Sequence, residues 1–248
     1  MAKLFIFSDS HGYCDILKNA LNDAGYDPSN PNHYLIGLGD YFDRGKQPKE
    51  MMKFLMNTPR TILIKGNHED LFEDMCDRNI PLYHDVANGT FETAQLLTEH
   101  KDPSFFYAKD IVTPFFNKMI NFYETENYIF VHSFIPVHHA NITDYWKSPM
   151  NYKFNPDWRQ AHYSEWKEAR WGNPFQQAMN IAKQTGKIIV FGHWHTSFMR
   201  WEDGDGENDL RNFDIYYGNN FIGIDGCVHY TQRQNILVLE DNLIEEYI

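Results

Sequence analysis

Short apolar runs alternate with helix-like segments along the first third of the chain. Residues 3–7, 34–38 and 61–64 have the length and apolar content of buried strands. Between them, apolar side chains at helical spacing predict helices over residues 14–24 and 51–56, and residues 71–78 continue as a helix. Strands that alternate with helices imply right-handed crossovers, so this part of the chain predicts a largely parallel sheet.

The remaining pattern predicts one α/β domain, residues 1–248, with two additions to its sheet. Residues 81–123 are mostly helical, most clearly at 91–97 and 105–120, and predict an insertion that covers the sheet or its ligand edge. Residues 134–171 are rich in aromatic side chains, include a helix over 157–169, and predict a cap or second insertion. Further strands are expected at 128–132 and 188–191, a helix at 174–184, and closing antiparallel strands at 220–224 and 235–240.

Composition narrows the class of protein. Hydrophobic residues make up 42% and charged residues 23% of the chain, as in ordinary globular proteins. We find no apolar run of the ~20 residues that a membrane span needs, and we expect neither a signal peptide nor membrane association. Three widely separated cysteines, Cys14, Cys76 and Cys227, argue against a disulfide framework and favour the cytoplasm.

A net charge of −12 argues against stable nucleic-acid binding, which needs clustered basic residues. A phosphate substrate stays possible, because bound metal ions can reverse the charge locally. The sequence leaves the oligomeric state open.

Polar side chains follow five of the predicted strands. The five loops carry Asp9 and His11; Asp40, Asp43 and Arg44; Asn67 and His68; His132; and His193 and His195. Singly, each has an ordinary alternative: Asp9 or Asn67 could cap a helix, and a lone buried histidine is usually part of the core. Five coincident strand-end positions favour a ligand site instead. Imidazole and carboxylate groups suit Mn, Fe or Zn, and the absence of cysteine ligands argues against a closed structural zinc site.

The motifs resemble those of the calcineurin-like metallophosphoesterases. They are Asp9-x-His11-Gly12, Gly39-Asp40-x-x-Asp43-Arg44-Gly45, Gly66-Asn67-His68-Glu69, Val131-His132-Ser133 and Gly192-His193-x-His195. Within the superfamily they look closest to the bacterial and phage serine/threonine phosphoprotein phosphatases. The resemblance implies a β-sandwich flanked by helices, in four layers, with two metal ions at one sheet edge.

The resemblance also implies a role for each residue. Asp9 and His11 would hold the first metal, Asp40 would bridge both, and Asn67, His132 and His193 would complete the second. His68 would protonate the leaving oxygen, Asp43 would orient His68, and Arg44 would bind phosphate oxygens. For Asp43 and Arg44 the alternative is a helix cap and a surface ion pair.

Two positions depart from the phosphoprotein phosphatase pattern. The second phosphate-binding arginine of that type follows a tryptophan, whereas Arg170 here precedes Trp171, so its substrate-binding role is left open. His195 matches the wider superfamily, in which it would bind the first metal, with a supporting or core histidine as the alternative. Five other histidines have no motif, and we assign them structural roles: His84, His138, His139, His162 and His229.

The favoured function is hydrolysis of phosphomonoesters, on a phosphorylated small molecule or a phosphoprotein, by in-line attack of metal-bound hydroxide. Two divalent or trivalent ions are expected, Mn first and Fe or Zn next. Phosphate monoesters need up to ~10²¹-fold acceleration, of which a general acid supplies only ~10²- to 10⁴-fold. The metal ligands must therefore contribute most of the rate acceleration, and His68 contributes a smaller part.

Three other functions stay open at this stage. A symmetrical dinucleoside-polyphosphate hydrolase is the first, and a cyclic-nucleotide or other phosphodiesterase, suggested by His195, is the second. The third function is that of a metal-free interaction module on the same fold. Such a module should have lost ligands, although this sequence retains all of them. For the nucleotide substrates, the tryptophans Trp146, Trp158 and Trp166 could stack a nucleobase or could be core.

Overall fold

The computed structural model of the chain describes residues 1–139, 152–202 and 211–244. Two five-stranded sheets form the centre of the described part. The strands are β1 (Ala2–Phe7), β2 (His33–Gly37), β3 (Thr61–Ile64), β4 (Met119–Ile120), β5 (Phe122–Glu124), β6 (Tyr128–Val131), β7 (His138–His139), β8 (Tyr152–Lys153), β9 (Ile188–Phe191), β10 (Tyr216–Gly218), β11 (Phe221–Gly223) and β12 (Leu237–Asp241). The helices are α1 (Cys14–Asp23), α2 (Pro48–Asn57), α3 (Asn67–Arg78), α4 (Tyr83–Asn88), α5 (Thr90–Thr98), α6 (Phe105–Phe116), α7 (Tyr163–Arg170), α8 (Pro174–Ile181), α9 (Ser197–Glu202) and α10 (Val228–Thr231).

Both sheets are mixed, with parallel strands at their centres. The first has the order β12-β1-β2-β3-β4, in which β1 to β4 are parallel and β12 is antiparallel to β1. The second has the order β10-β11-β9-β6-β5, in which β11, β9 and β6 are parallel. The strands β5 and β10 close its edges in antiparallel pairing. β7 and β8 form a separate antiparallel pair.

The sheets face each other across an apolar layer, and helices cover their outer faces. Side chains alternate along β1: Leu4 and Ile6 belong to the cluster between the sheets, whereas Phe5 and Phe7 pack with the helices. Phe130 on β6 also belongs to the layer between the sheets. Because both faces of these central strands are buried, their sequences are continuously apolar. The predicted four-layer α/β sandwich is confirmed.

Several element boundaries differ from the sequence-based prediction. The helix predicted over 105–120 ends at Phe116, and Met119–Ile120 instead pairs with β3 in the first sheet. The helical segment therefore occupies 83–116, and residues 117–123 already belong to the turn and strands that follow it. The predicted closing strands lie in different sheets: β12 is antiparallel to β1, and β11 runs parallel to β9.

The aromatic-rich segment 134–171 is described only in part, and Trp146 lies outside the described residues. Trp158 and Trp166 are fully buried and pack against the ring of Phe122. These two tryptophans are therefore core residues, and the nucleobase-stacking alternative is wrong for them. In place of one helix over 157–169, the chain makes a short 3₁₀ turn and then α7. Among the described residues, none of the helices is long and apolar enough to cross a membrane.

Candidate metal centre

The loops that carry most of the predicted site residues meet at one edge of the sandwich. Parallel strands end at the same edge of a sheet, so the loops after β1, β2 and β3 lie side by side. The backbone N–H of Asp9 donates to Gly39 O (3.1 Å), which joins the first two of these loops. In the second sheet, Gly192 N donates to His132 O (2.8 Å) and joins the loops after β6 and β9. Two further contacts join the loops of the first sheet to those of the second: His132 Nδ1 lies 2.7 Å from Leu38 O, and His193 N donates to Asp9 Oδ2 at 2.9 Å.

Six of the predicted site residues have backbone angles in the left-handed region, and four of the six are candidate metal ligands. The φ angles are 50° at Asp9, 45° at His11, 56° at Asp40 and 67° at His193. Such a conformation costs a residue other than glycine roughly 1–2 kcal/mol. Hydrogen bonds between the loops hold it in place, including His11 N to Asp40 O at 2.9 Å. Strained backbone concentrated in this way is typical of a functional site.

Asp40 is shared by two groups of possible metal ligands. One group is His11, Asp40 and His68, and the other is Asp40, His132 and His193, with ligand atoms within 4.8 Å of one another in each group. The Asp40 Oδ2 atom lies 4.0 Å from His11 Nε2 and 3.8 Å from His68 Nε2. Its Oδ1 atom lies 3.4 Å from His132 Nε2. The carboxylate therefore has one oxygen toward each group, as a bridging ligand requires.

The hydrogen-bonding pattern at His132 fits a bound cation. Its Nδ1 must be the donor to the Leu38 carbonyl oxygen at 2.7 Å, because a carbonyl can only accept. The lone pair of a neutral ring is then on Nε2, which lies 2.7 Å from Asn67 Oδ1 and 3.4 Å from Asp40 Oδ1. Three electron-pair donors converge here, and a bound metal ion would satisfy all three.

Burial and charge adjust the protonation of these ligands. Burial would raise the pKa of Asp40, but the surrounding histidines, His132 first, hold that pKa below its usual value. Burial lowers the pKa of His132, and it lowers the pKa of His193 to about 3 with help from His132. The pKa of His11 is also lowered, by burial and then by Arg44. At neutral pH these groups are thus in the carboxylate and neutral imidazole forms that bind metals.

A second set of contacts surrounds His68. Its Nδ1 atom lies 2.6 Å from Asp43 Oδ2, which leaves Nε2 directed to the centre of the site. Burial lowers the pKa of His68, but the charge of Asp40 and the bond to Asp43 outweigh it, so that the pKa is raised. The Arg44 guanidinium lies 3.3 Å from His68 Nε2 and also contacts His11 Nε2. The predicted acid, its orienting carboxylate and the predicted phosphate ligand are thus adjacent.

Asp9, in the loop after β1, is in neither ligand group and bonds to a loop of the second sheet. Its Oδ2 accepts from His193 N at 2.9 Å. Burial raises the pKa of Asp9 well above its usual value, and the next largest cause is a carboxylate that sequence reasoning missed, Asp225. Asp225 follows β11 and is 6% exposed. The signal was present in the sequence, because Asp225 comes shortly after an apolar run and before a glycine.

Neither His195 nor Arg170 belongs to the two groups of possible metal ligands. His195 Nδ1 lies 2.7 Å from Ser197 Oγ and its ring stacks on Phe198, with centroids 4.2 Å apart. Burial, followed by His229, lowers the pKa of His195 to about 4. The ring of His229, to which the sequence assigned only a structural role, is 6.5 Å from that of His11. Metal binding by His195 stays a prediction.

Arg170 forms a buried ion pair. Its Nε and Nη2 atoms donate to the two carboxylate oxygens of Asp70 at 2.7 and 3.1 Å, and its Nη1 donates to Asn121 Oδ1 at 2.9 Å. Arg170 is 2% exposed and Asp70 is 1% exposed. Each nitrogen of the guanidinium is therefore engaged within the protein, and the predicted substrate contact stays untested.

Glu69 fixes the two loops that carry Asp40 and Asn67. Its carboxylate accepts from the backbone N–H groups of Asp40, Tyr41 and Gly66, each at 2.9 Å. Burial raises the pKa of Glu69 to about 7. The sequence motif includes Glu69, but only the structure shows that its carboxylate joins the two loops.

The protein has a cavity of about 720 Å³, part of whose lining adjoins the candidate ligands along the chain. Trp194, which follows His193, lines this cavity, as do Trp171 and Gly172. Gly172 is tied to the site because its carbonyl accepts from Ser133 Oγ at 2.9 Å. The size is that of an ordinary small-molecule pocket, and two tryptophan side chains contribute to its lining.

Comparison with known proteins places these features in a family. The family model described as calcineurin-like phosphoesterase matches residues 2–197 of the chain. Serine/threonine-protein phosphatase 2 of Salmonella typhimurium (strain LT2) is 35% identical over 71 residues, which are 29% of this chain and 31% of that protein. The similar region thus spans about a third of the relative's length.

Solved structures share the fold across nearly the whole chain. A protein serine/threonine phosphatase from Saccharomyces cerevisiae matches with a TM-score of 0.55 and 13% identity, over 98% of this chain and 81% of that one. A putative diadenosine tetraphosphatase matches with a TM-score of 0.54 and 14% identity, over 98% and 95% of the two chains. At these identities the likeness concerns the fold alone.

Proposed function

Because the chain belongs to the calcineurin-like phosphoesterase family, whose members are hydrolases of phosphate esters, we propose that it is a dinuclear metal-dependent phosphomonoesterase. The observation that carries the proposal is Asp40, whose two oxygens face two separate groups of histidines. Asp40, His11 and Asp9 would hold one ion, and Asp40, Asn67, His132 and His193 the other. Manganese is the first candidate, with iron or zinc next, because the donors are imidazole and oxygen.

Two bound ions would activate water and neutralise the phosphoryl oxygens. The protein's own groups would do the rest. Arg44 would bind the phosphate through its planar guanidinium. His68, held by Asp43 through Nδ1, would donate the Nε2 proton to the leaving oxygen, a contribution of ~10²- to 10⁴-fold. The acid function needs the proton to stay on His68 near neutral pH, and its raised pKa favours this.

The first test is hydrolysis of p-nitrophenyl phosphate by the protein loaded with Mn²⁺, Fe²⁺ or Zn²⁺. We expect activity that requires a divalent ion and that falls ~10³-fold or more in Asp40→Asn, since the amide removes the charge and leaves an oxygen for only one of the two ions. Lys46→Gln is the matched surface control, because Lys46 is exposed and pairs with Glu92, which is also exposed. A wild-type protein inactive with every ion, or an active Asp40→Asn variant, would refute the proposal.

We further propose that the natural substrate is a phosphoprotein or a phosphorylated small molecule, processed in the cytoplasm. Three free cysteines, two of them buried, support a reducing compartment. A second candidate is a dinucleoside polyphosphate, which the tryptophans of the cavity favour because a base stacked on an aromatic ring gains roughly 1–3 kcal/mol. Phosphopeptides and dinucleoside polyphosphates compared on the Mn²⁺-loaded enzyme, with the products identified, would separate the two.

A further inference from the structure

The carboxylate of Asp43 is held by two threonines of the helical segment. Thr90 Oγ1 donates to Asp43 Oδ2 at 2.7 Å, and Thr93 Oγ1 donates to Oδ1 at 2.8 Å. The backbone N–H of Asp43 in turn donates to Thr93 Oγ1 at 3.1 Å. His68 Nδ1 completes the set at Oδ2. Each carboxylate oxygen therefore has a hydroxyl partner from α5, and the carboxylate cannot rotate without breaking one of these bonds.

The two hydroxyls, both in the first turn of α5, bond outside their own helix. Within a helix, a threonine hydroxyl commonly bonds to the carbonyl of the preceding turn, as Thr98 does to Ala94 O at 2.8 Å. Thr90 and Thr93 are three residues apart, so they lie on one face of α5. They point out of the helix to the loop after β2, and both are fully buried. Their donors are thus committed to Asp43.

Two contacts connect the carboxylate of Asp43 to the centre of the site. Asp43 orients His68 through a 2.6 Å bond, and the other nitrogen of His68 lies 3.8 Å from Asp40 Oδ2, at the centre of the site. A carboxylate free to rotate would let the imidazole tilt, and proton transfer to a leaving oxygen depends on that alignment. Outer partners of metal ligands typically change activity 10- to 100-fold when removed, and we expect a loss of similar size for the partners that hold this acid.

We propose that Thr90 and Thr93 are positioning residues for the leaving-group acid. Through them, the helical segment 83–116 sets the efficiency of leaving-group protonation while the metal ligands stay in place. The inference rests on the proposed function, because it needs His68 to act as an acid. It adds a role for a segment in which the sequence indicated only a cover for the sheet.

The test compares two leaving groups in Thr90→Val and Thr93→Val, which remove the hydroxyl at nearly constant shape. Phenyl phosphate releases a phenolate with a pKa of about 10, as in tyrosine, and needs protonation. p-Nitrophenyl phosphate releases a stable anion and needs it less. We expect kcat for phenyl phosphate to fall about 10-fold or more, the fall for p-nitrophenyl phosphate to be several-fold smaller, and KM to change little. Thr90→Ser should restore the ratio.

Two controls separate positioning from general damage. Thr98→Val removes a buried hydroxyl from the same helix and should not change the ratio of the two substrates. In a His68→Asn background, Thr90→Val should cause no further loss, because the acid is already gone. Equal losses on both substrates, or a further loss in the His68→Asn background, would overturn the inference. If Thr90→Val does not fold, Thr93→Val provides the same comparison, and a wild type inactive on both substrates would refute the proposed function itself.

Discussion

Replacement of Arg170 by methionine should destabilise the protein much more than it impairs phosphate binding. Methionine keeps an apolar stem of similar length but removes the charge and the donors. Asp70, which is 1% exposed, would then lose its bidentate partner. Removal of one member of a buried pair typically costs 3–5 kcal/mol, because the other charge is left uncompensated.

The structure places the expected loss at the lower end of that range. Lys65 Nζ lies 3.1 Å from Asp70 Oδ1, so the carboxylate would keep one cationic neighbour. We therefore expect the free energy of unfolding to fall by about 3 kcal/mol. For a chain of this size that corresponds to a decrease in Tm of roughly 6–12 °C. Arg170→Lys should recover part of the loss, since it keeps the charge but not the two-point contact.

Urea unfolding and thermal melting measure the loss of stability in Arg170→Met. KM for p-nitrophenyl phosphate measures its effect on phosphate binding. Lys167→Met is the matched control, since Lys167 is on the same helix and pairs with Asp74 at a partly exposed position. That variant should lose no more than about 1 kcal/mol. An Arg170→Met protein with wild-type stability and a KM raised tenfold or more would refute this reasoning and support the substrate contact suggested by the sequence.

Three other outcomes are expected. In wild type, Mn²⁺ at about 100 times its Kd should raise the free energy of unfolding by about 2.7 kcal/mol; Asp40→Asn should lose most of this gain in a melting experiment, and an equal gain would argue against a shared ligand. In the dependence of kcat/KM on pH, the basic limb should lie above pH 6.5, since the pKa of His68 is raised. This limb should vanish in His68→Asn, and a limb that persists would assign the acid to another residue. Trp194→Ala should raise KM for a dinucleoside tetraphosphate about tenfold or more if a base stacks there, with phosphopeptides as the comparison; equal changes for both would exclude base stacking on Trp194.

The parts of the fold that could be predicted are those with a strong local signal. The strands 61–64 and 188–191 have the predicted bounds, because each is a short apolar run that ends in a turn. The end of α6 was missed for the opposite reason. Met119 and Ile120 continue the apolar pattern of the helix, and two residues are too few to distinguish a helical from a strand period.

At the site, the residue types predicted the neighbourhood but not all the contacts. Five strand-end loops carry Asp, Asn and His, and the topology does bring Asp40, His132 and His193 together. Thr90 and Thr93 could not be identified, because a threonine in a helix has no local mark that distinguishes a partner of Asp43 from a surface residue. The ion pair of Arg170 was also invisible, since Asp70 is a hundred positions away.

The division of the ligands between two sheets has a thermodynamic consequence. Asp40 extends from the first sheet and His132 from the second, and the apolar layer that contains Leu4 and Phe130 lies between those sheets. If ions bind at this edge, their affinity and the cohesion of that layer are linked quantities, and each must change the other by the same factor. A methyl group deleted from the interior would then weaken ion binding without any contact to the ligands. Conversely, chelation would loosen the sandwich, so that hydrogen exchange in β1 and β6 would report on an ion that neither strand touches.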